Sequence, residues 1–175
     1  MNELTLRPAA PDDCGVIADW LSRPELNRWL GSEWRQQDID PRRIAFALKN
    51  RNNRFFVVLM DGDPSGLVAF SELDAGDGLA LLWYLLGNER FRGRGIVIMA
   101  HAVELALDHA FGELGLTTVY AWVHPENLAS LHVLERVGFK HAGRLRAATV
   151  LDGVRADRLL FDVTRSDWPP DPGRA

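Results

Sequence analysis

Cysteine is almost absent from this sequence: Cys14 is the only one, so no internal disulfide can form and nothing signals an oxidising compartment. Cys14 sits in an apparent first helix, Asp13-Cys14-Gly15-Val16-Ile17, and reads as a small packed residue rather than a nucleophile. Positive charge is not in excess either. Lys and Arg number 20 against 24 Asp and Glu, a net charge of −4, which argues against non-specific nucleic-acid binding. No stretch approaches the ~18 apolar residues of a membrane span, and Met1 to Leu6 lacks the basic start and apolar run of a secretory signal. The expected location is the cytoplasm, with no membrane and no nucleic-acid partner. No internal repeat, linker or low-complexity segment interrupts the chain. The 175 residues, 47% hydrophobic and 25% charged, suit one globular domain with a sizeable core, expected over 1–166. An irregular proline-rich tail is expected over 167–175.

What is present is an ordered alternation of elements. Leu4 to Leu6 alternates as a strand. Helices are predicted from Asp12 or Asp13 to Leu21, over Pro24–Leu30 and over Asp40–Asn50, the last entered through Pro41. Strands follow at Phe55–Met60, Leu67–Leu73 and Leu79–Leu86, the first two joined through Asp61-Gly62-Asp63-Pro64-Ser65-Gly66. The helix from Gly95 to Phe111 carries a single polar stripe, His101, Glu104 and Asp108. The rest is apolar, so most of its circumference should be buried. Thr117–Val123 is strongly β-prone. Asn127–Val137 is a helix ended by Gly138, and Arg144–Leu151 and Val154–Thr164 form a hairpin around Asp152-Gly153. The order βααα-βββ-α-β-α-ββ gives an α/β (α+β) fold: a mixed, mostly antiparallel sheet with helices on both faces and one central β-α-β unit.

The chemistry gathers where that unit turns. Gly87-Asn88-Glu89-Arg90-Phe91-Arg92-Gly93-Arg94-Gly95-Ile96-Val97 opens the buried helix. Glycines allow a tight turn, amide groups at a helix start point at an anion, and Arg92 and Arg94 add charge to an otherwise acidic chain. A diphosphate ester is the natural occupant. No Gly-Lys-Ser/Thr is present, and the loop lies mid-chain after antiparallel strands. Neither the P-loop nor the dinucleotide fingerprint fits.

Arg92-Gly93-Arg94-Gly95-Ile96-Val97 resembles the pyrophosphate loop of the GNAT N-acetyltransferases, Arg/Gln-x-x-Gly-x-Gly/Ala, with Val97 in place of the last small residue. Asn127-Leu128-Ala129-Ser130 followed by Leu134-Glu135-Arg136-Val137-Gly138-Phe139 is similar to that family's Asn-x-x-Ser … Glu-Lys-x-Gly-Phe segment. Trp20-Leu21-Ser22-Arg23-Pro24-Glu25-Leu26 resembles a stretch of the branch that contains ribosomal-protein N-terminal and amino-sugar acetyltransferases.

The resemblance implies a GNAT fold with acetyl-CoA as acyl donor and no metal. The main chain of Arg92, Gly93, Arg94, Gly95, Ile96 and Val97 would hold the pyrophosphate. Leu85, Leu86 and Gly87 would run beside the pantetheine arm, with Asn127 and Ser130 facing it. The leaving-group tyrosine of many relatives is replaced here by Leu134, so Ser130 becomes the candidate that meets the sulfur. Glu72 and then His124 are the candidate bases, and a main-chain N–H of Leu86 or Gly87 would meet the oxyanion. Trp29 and Trp34 lie in the segment where the family builds its acceptor pocket; with Trp83 and Trp122 they are candidate substrate contacts. The expected reaction is direct attack of a small-molecule primary amine, such as an amino sugar, in a ternary complex. The alternatives are the N-terminal amine of a protein such as a ribosomal protein, and an acyl-CoA sensor without turnover. A monomer or homodimer is expected.

Overall fold

The computed structural model describes residues 3–168. The strands are β1 (Leu4–Pro8), β2 (Arg54–Met60), β3 (Asp63–Asp74), β4 (Leu79–Leu86), β5 (Thr118–Val123), β6 (Lys140–Leu151) and β7 (Val154–Thr164). The helices are α1 (Cys14–Ser22), α2 (Pro24–Asn27), α3 (Pro41–Lys49), α4 (Gly95–Gly112) and α5 (Leu128–Val137). One seven-stranded sheet runs in the order β1-β2-β3-β4-β5-β7-β6, and only β4 and β5 are parallel. This is the mixed sheet with helices on both faces that the element order implies.

Two hydrophobic layers flank the sheet. On one face α4 and α5 bury Ala102, Val103, Ala106, Leu107 and Leu134 against Val68, Phe70, Leu82 and Val119. On the other, α1 and α3 bury Ile17, Leu21 and Ile44 against Val57, Leu67 and Leu85. By length and composition the helical stretch Glu89–Gly112 is apolar enough to cross a membrane, contrary to the sequence expectation; half of it is buried inside the fold. Its apolarity serves the core, because a helix covering a sheet needs apolar residues on most of its circumference.

Other details differ from the sequence reading. The β2–β3 turn is only Asp61-Gly62, both at positive φ, because Met60 already pairs with Asp63. β6 begins at Lys140, four residues before the expected Arg144. The helix predicted over Pro24–Leu30 spans Pro24–Asn27. At the C-terminus, Asp167 accepts from Lys140 Nζ (2.5 Å) and Thr164 Oγ1 (2.8 Å), and Trp168 Nε1 donates to Asp108 (2.7 Å). The start of the expected irregular tail is therefore anchored; 169–175 lie outside the described residues. Gly138 ends α5 in the left-handed region (φ 95°), where Gly138 N–H and Phe139 N–H both donate to Leu134 O.

Candidate active site

The pairing of β4 with β5 stops at Leu81↔Tyr120, and beyond it the two strands diverge. Gly87 N–H donates to Ser65 O (2.9 Å). In an antiparallel ladder bonded and non-bonded pairs alternate, so this bond fixes the parity of β4. Leu85 and Trp83 direct their main-chain groups at β3, whereas Leu86 and Tyr84, beyond the last pair with β5, direct theirs at the gap. A strand edge with unspent N–H and C=O groups is a template for an extended amide-bearing ligand. The same bond corrects one expectation. Gly87 N–H is already used and cannot meet an oxyanion, while that of Leu86 faces the gap.

At the mouth of the gap a short 3₁₀ segment, Glu89–Arg94, leads into α4. Gly95 N–H donates to Arg92 O, and Arg94, at the N-cap, makes no side-chain cap bond, so the amides that follow Gly95 are the ones left to meet an anion. Ile96 and Val97 are exposed there (37% and 52%), and Arg92 is held by Glu89 (3.4 Å) and Glu25 (3.8 Å). A Cβ on Gly93 would meet nothing within 4 Å, whereas one on Gly95 would meet Leu86 Cδ2 at 3.1 Å. These features fit a CoA pyrophosphate at the helix start and a pantetheine arm along the β4 edge.

A cavity of about 370 Å³ continues from this mouth through the sheet to its other face. It brings together Leu85, Leu86, Gly87, Arg92, Gly95, Ile96, Asn127, Ser130, Trp29, Trp34, Trp83 and Trp122 from the sequence reading. Gly93, Arg94 and Val97 stand outside its wall, beside the helix start. Leu134 lines it, fully buried, where many relatives carry tyrosine. Asn127 caps α5: Oδ1 accepts from Ser130 N–H (3.3 Å), and Nδ2 donates to Ser130 Oγ (3.0 Å), leaving the Ser130 hydroxyl proton to donate elsewhere. Trp83 Nε1 donates to Ser71 Oγ (2.8 Å), and Trp34 lies 5.5 Å from the Trp83 ring.

Neither candidate base lines the cavity. Glu72 occupies a bulge in β3 at φ 53°, exposed, and its carboxylate accepts the Tyr120 hydroxyl. Burial first, and Glu72 second, push the Tyr120 hydroxyl well above its ordinary pKa. His124 is buried, its ring 5.7 Å from Trp29. Its Nδ1 accepts Glu126 N–H (3.2 Å), so the neutral ring carries its proton on the buried Nε2. His124 therefore has no free lone pair to take a proton from a substrate.

Three residues enter that the sequence reading did not place. Tyr84 lines the cavity and donates to Ser130 O (3.3 Å); burial raises its pKa far above the ordinary value, so it stays a neutral donor. Its strand parity with Leu82 and Leu86 was the available signal. Glu33 is a cavity carboxylate without an ion pair among the described residues, whereas Glu25 and Glu89 bind Arg92. Arg158, from β7, places its guanidinium 3.9 Å above the Trp122 ring.

Comparison with known proteins agrees with this architecture. A family model described as the acetyltransferase (GNAT) domain matches residues 3–140. An N-acetyltransferase of Bacillus licheniformis, p20, is 26% identical over 95% of this chain and 96% of its own. The [ribosomal protein uS5]-alanine N-acetyltransferase of Escherichia coli is 27% identical over 69% of this chain and 62% of its own. Among solved structures, spermidine N-acetyltransferase from Vibrio cholerae, in complex with CoA and spermine, superposes with a TM-score of 0.81. It is 22% identical, over 93% of this chain and 96% of that one, a likeness of fold.

Proposed function

This chain belongs to the GNAT acetyltransferase family, and from that premise we propose that it acetylates the primary amine of a small molecule, an amino sugar or similar compound. The acetyl-CoA-dependent N-acetyltransferase activity follows from membership; the acceptor is our reading. The observation that carries it is the far arm of the cavity. Trp29, Trp34, Trp83 and Trp122 wall it. The tip of the β6–β7 hairpin is tied to the segment after α2 by the Arg28–Asp152 ion pair (2.5 Å) and by Arg35 donating to Val150 O. An aromatic-walled arm bordered by these ties suits a compact acceptor whose ring or carbon skeleton stacks on indole. A monomer or homodimer acting in the cytoplasm is the expected setting.

Acetyl-CoA supplies an activated thioester: the N–C bond forms as the C–S bond breaks, the amine gives up one proton and the sulfur gains one. In this reading the amides opening α4, with Arg92 and Arg94, hold the diphosphate. The Leu86 and Tyr84 main-chain groups hold the pantetheine arm, and an N–H of that pair polarises the carbonyl. Glu33, or water ordered by it, takes the amine proton. Ser130 Oγ–H, whose proton is free, offers the sulfur a hydrogen bond; Tyr84 O–H would have to leave Ser130 O to do the same.

The test is acetyl-CoA titration by calorimetry, followed by thiol-release assays over amino sugars, spermidine and peptides with free N-termini. Turnover of an amino sugar at a kcat/KM about tenfold or more above the peptides supports the reading. Preference for a peptide N-terminus overturns the acceptor class and favours protein acetylation. Acetyl-CoA binding without transfer to any amine identifies an acyl-CoA sensor.

A further inference from the structure

We infer that Arg158 is the receptor for an anionic group, a carboxylate or phosphate, on the amine acceptor, an inference that rests on the small-molecule reading above. Strand pairing places it. Trp122 of β5 is opposite Leu160 of β7, so Arg158, two residues earlier, projects from the same sheet face as Trp122, a wall of the acceptor arm. The guanidinium carbon lies 3.9 Å over the indole, well inside cation–π range. Stacking of this kind occupies the flat face of the group and leaves its N–H edge for an acceptor.

The described residues supply the Arg158 guanidinium no acceptor. By contrast Arg28 pairs with Asp152, Arg35 donates to Val150 O, and Arg144 pairs with Asp157. Arg158 has no hydrogen bond or ion pair among the described residues, and its Nε is buried without a partner. Glu33 and Glu72 are close enough to favour its charge, and Arg35 opposes it. Desolvation outweighs them and holds the guanidinium below its ordinary pKa. A desolvated, unpaired cation is costly, and a bidentate carboxylate or phosphate is the partner that the planar fork matches best. Glu33 lines the cavity that Arg158 borders through Trp122, and it suits the acceptor's ammonium. The pair thus reads a zwitterionic acceptor, amine toward Glu33 and anion toward Arg158, and Arg158 repels a polycation.

The experiment uses matched acceptors: glucosamine with glucosamine 6-phosphate, and 3-aminopropanol with β-alanine, plus spermidine. Kinetics are measured at saturating acetyl-CoA for wild type, Arg158→Gln and Arg158→Lys. Wild type is expected to favour the anionic member by about tenfold or more in kcat/KM, carried mainly by KM. The anionic-to-neutral ratio falls to near one in Arg158→Gln, and Arg158→Lys, which keeps charge without the fork, retains part of it. The better of the two pairs identifies phosphate or carboxylate as the group read. Undiminished preference in Arg158→Gln, or a wild type that favours the neutral member or spermidine, overturns the inference. Calorimetric titration of the CoA-saturated protein with glucose 6-phosphate and propionate separates the two readings. Binding of either that weakens about tenfold in Arg158→Gln supports the anion receptor even if no amine is acetylated, which would sink the acceptor reading alone. No binding of either ligand in the wild type sinks the receptor.

Discussion

The two arms of the cavity are made of different material. The proposed donor arm, from the start of α4 along the β4 edge, is built from main chain: uncapped helix amides and the outward groups of Leu86 and Tyr84. The proposed acceptor arm is built from side chains that the segment after α2, β4 and β5 bring together, Trp29, Glu33, Trp34, Trp83 and Trp122, with Arg158 of β7 stacked on Trp122 outside the cavity lining. In the proposed reading main-chain groups recognise what every acyl-CoA shares, while side chains select the amine, the division expected of sites grafted on one fold.

The largest expected effect breaks the donor arm alone. Gly95→Trp projects its ring from the helix start, and its Cβ meets only a Leu86 methyl, so the fold should survive. Acetyl-CoA affinity should fall about a hundredfold or more, ~2.7 kcal/mol, by calorimetry. Unchanged affinity would remove α4 from the donor site. Gly87→Ala probes the hinge between the arms. Its Cβ would fall 2.2 Å from buried Trp20, so overpacking should cost about 1–3 kcal/mol in denaturant unfolding. A neutral result would mean that Trp20 yields freely.

A smaller effect separates the two candidate thiol donors. Tyr84→Phe and Ser130→Ala should each lower kcat, with the true donor costing about tenfold or more. Because burial raises the Tyr84 pKa far above its usual value, its hydroxyl stays protonated at and above pH 10. If Tyr84 is the donor, wild-type kcat should therefore not fall through the ordinary tyrosine range, and such a fall, absent in Tyr84→Phe, would contradict its neutral state. Smallest is Arg94→Gln, which removes an exposed charge beside the uncapped amides. Acetyl-CoA affinity should drop about threefold at low salt, with the difference closing as ionic strength rises. A salt-independent loss would point to a direct contact instead.

The proposed donor arm is legible in the sequence for a physical reason. A glycine-rich loop opening an apolar helix is contiguous, so Arg92 to Val97 mark a candidate anion site without tertiary information. The same holds for the strand and helix order, where periodicity, Asp152-Gly153 and Gly138 place the elements. Boundaries slipped where register decided them, as at Lys140 and Asp63, because strand pairing continues as far as a partner strand permits. The base candidates show the limit most clearly. Glu72 and His124 are base candidates by residue type and strand position, yet a β3 bulge hands Glu72 to Tyr120, and the turn after β5 engages His124 Nδ1 with Glu126 N–H.

By itself, then, the sequence determined the family, the order of elements and the place of the proposed donor loop, since each is written in local pattern. Only the tertiary structure decided which amides of β4 face the gap, which carboxylate lines the cavity beside the tryptophans and that Arg158 is stacked on Trp122 with its Nε buried and unpartnered among the described residues. Those are relations between residues far apart in the chain. Arg158 lies 125 positions from Glu33 and 36 from Trp122 in the sequence, and it meets their influence only because β7 inserts beside β5 in the sheet.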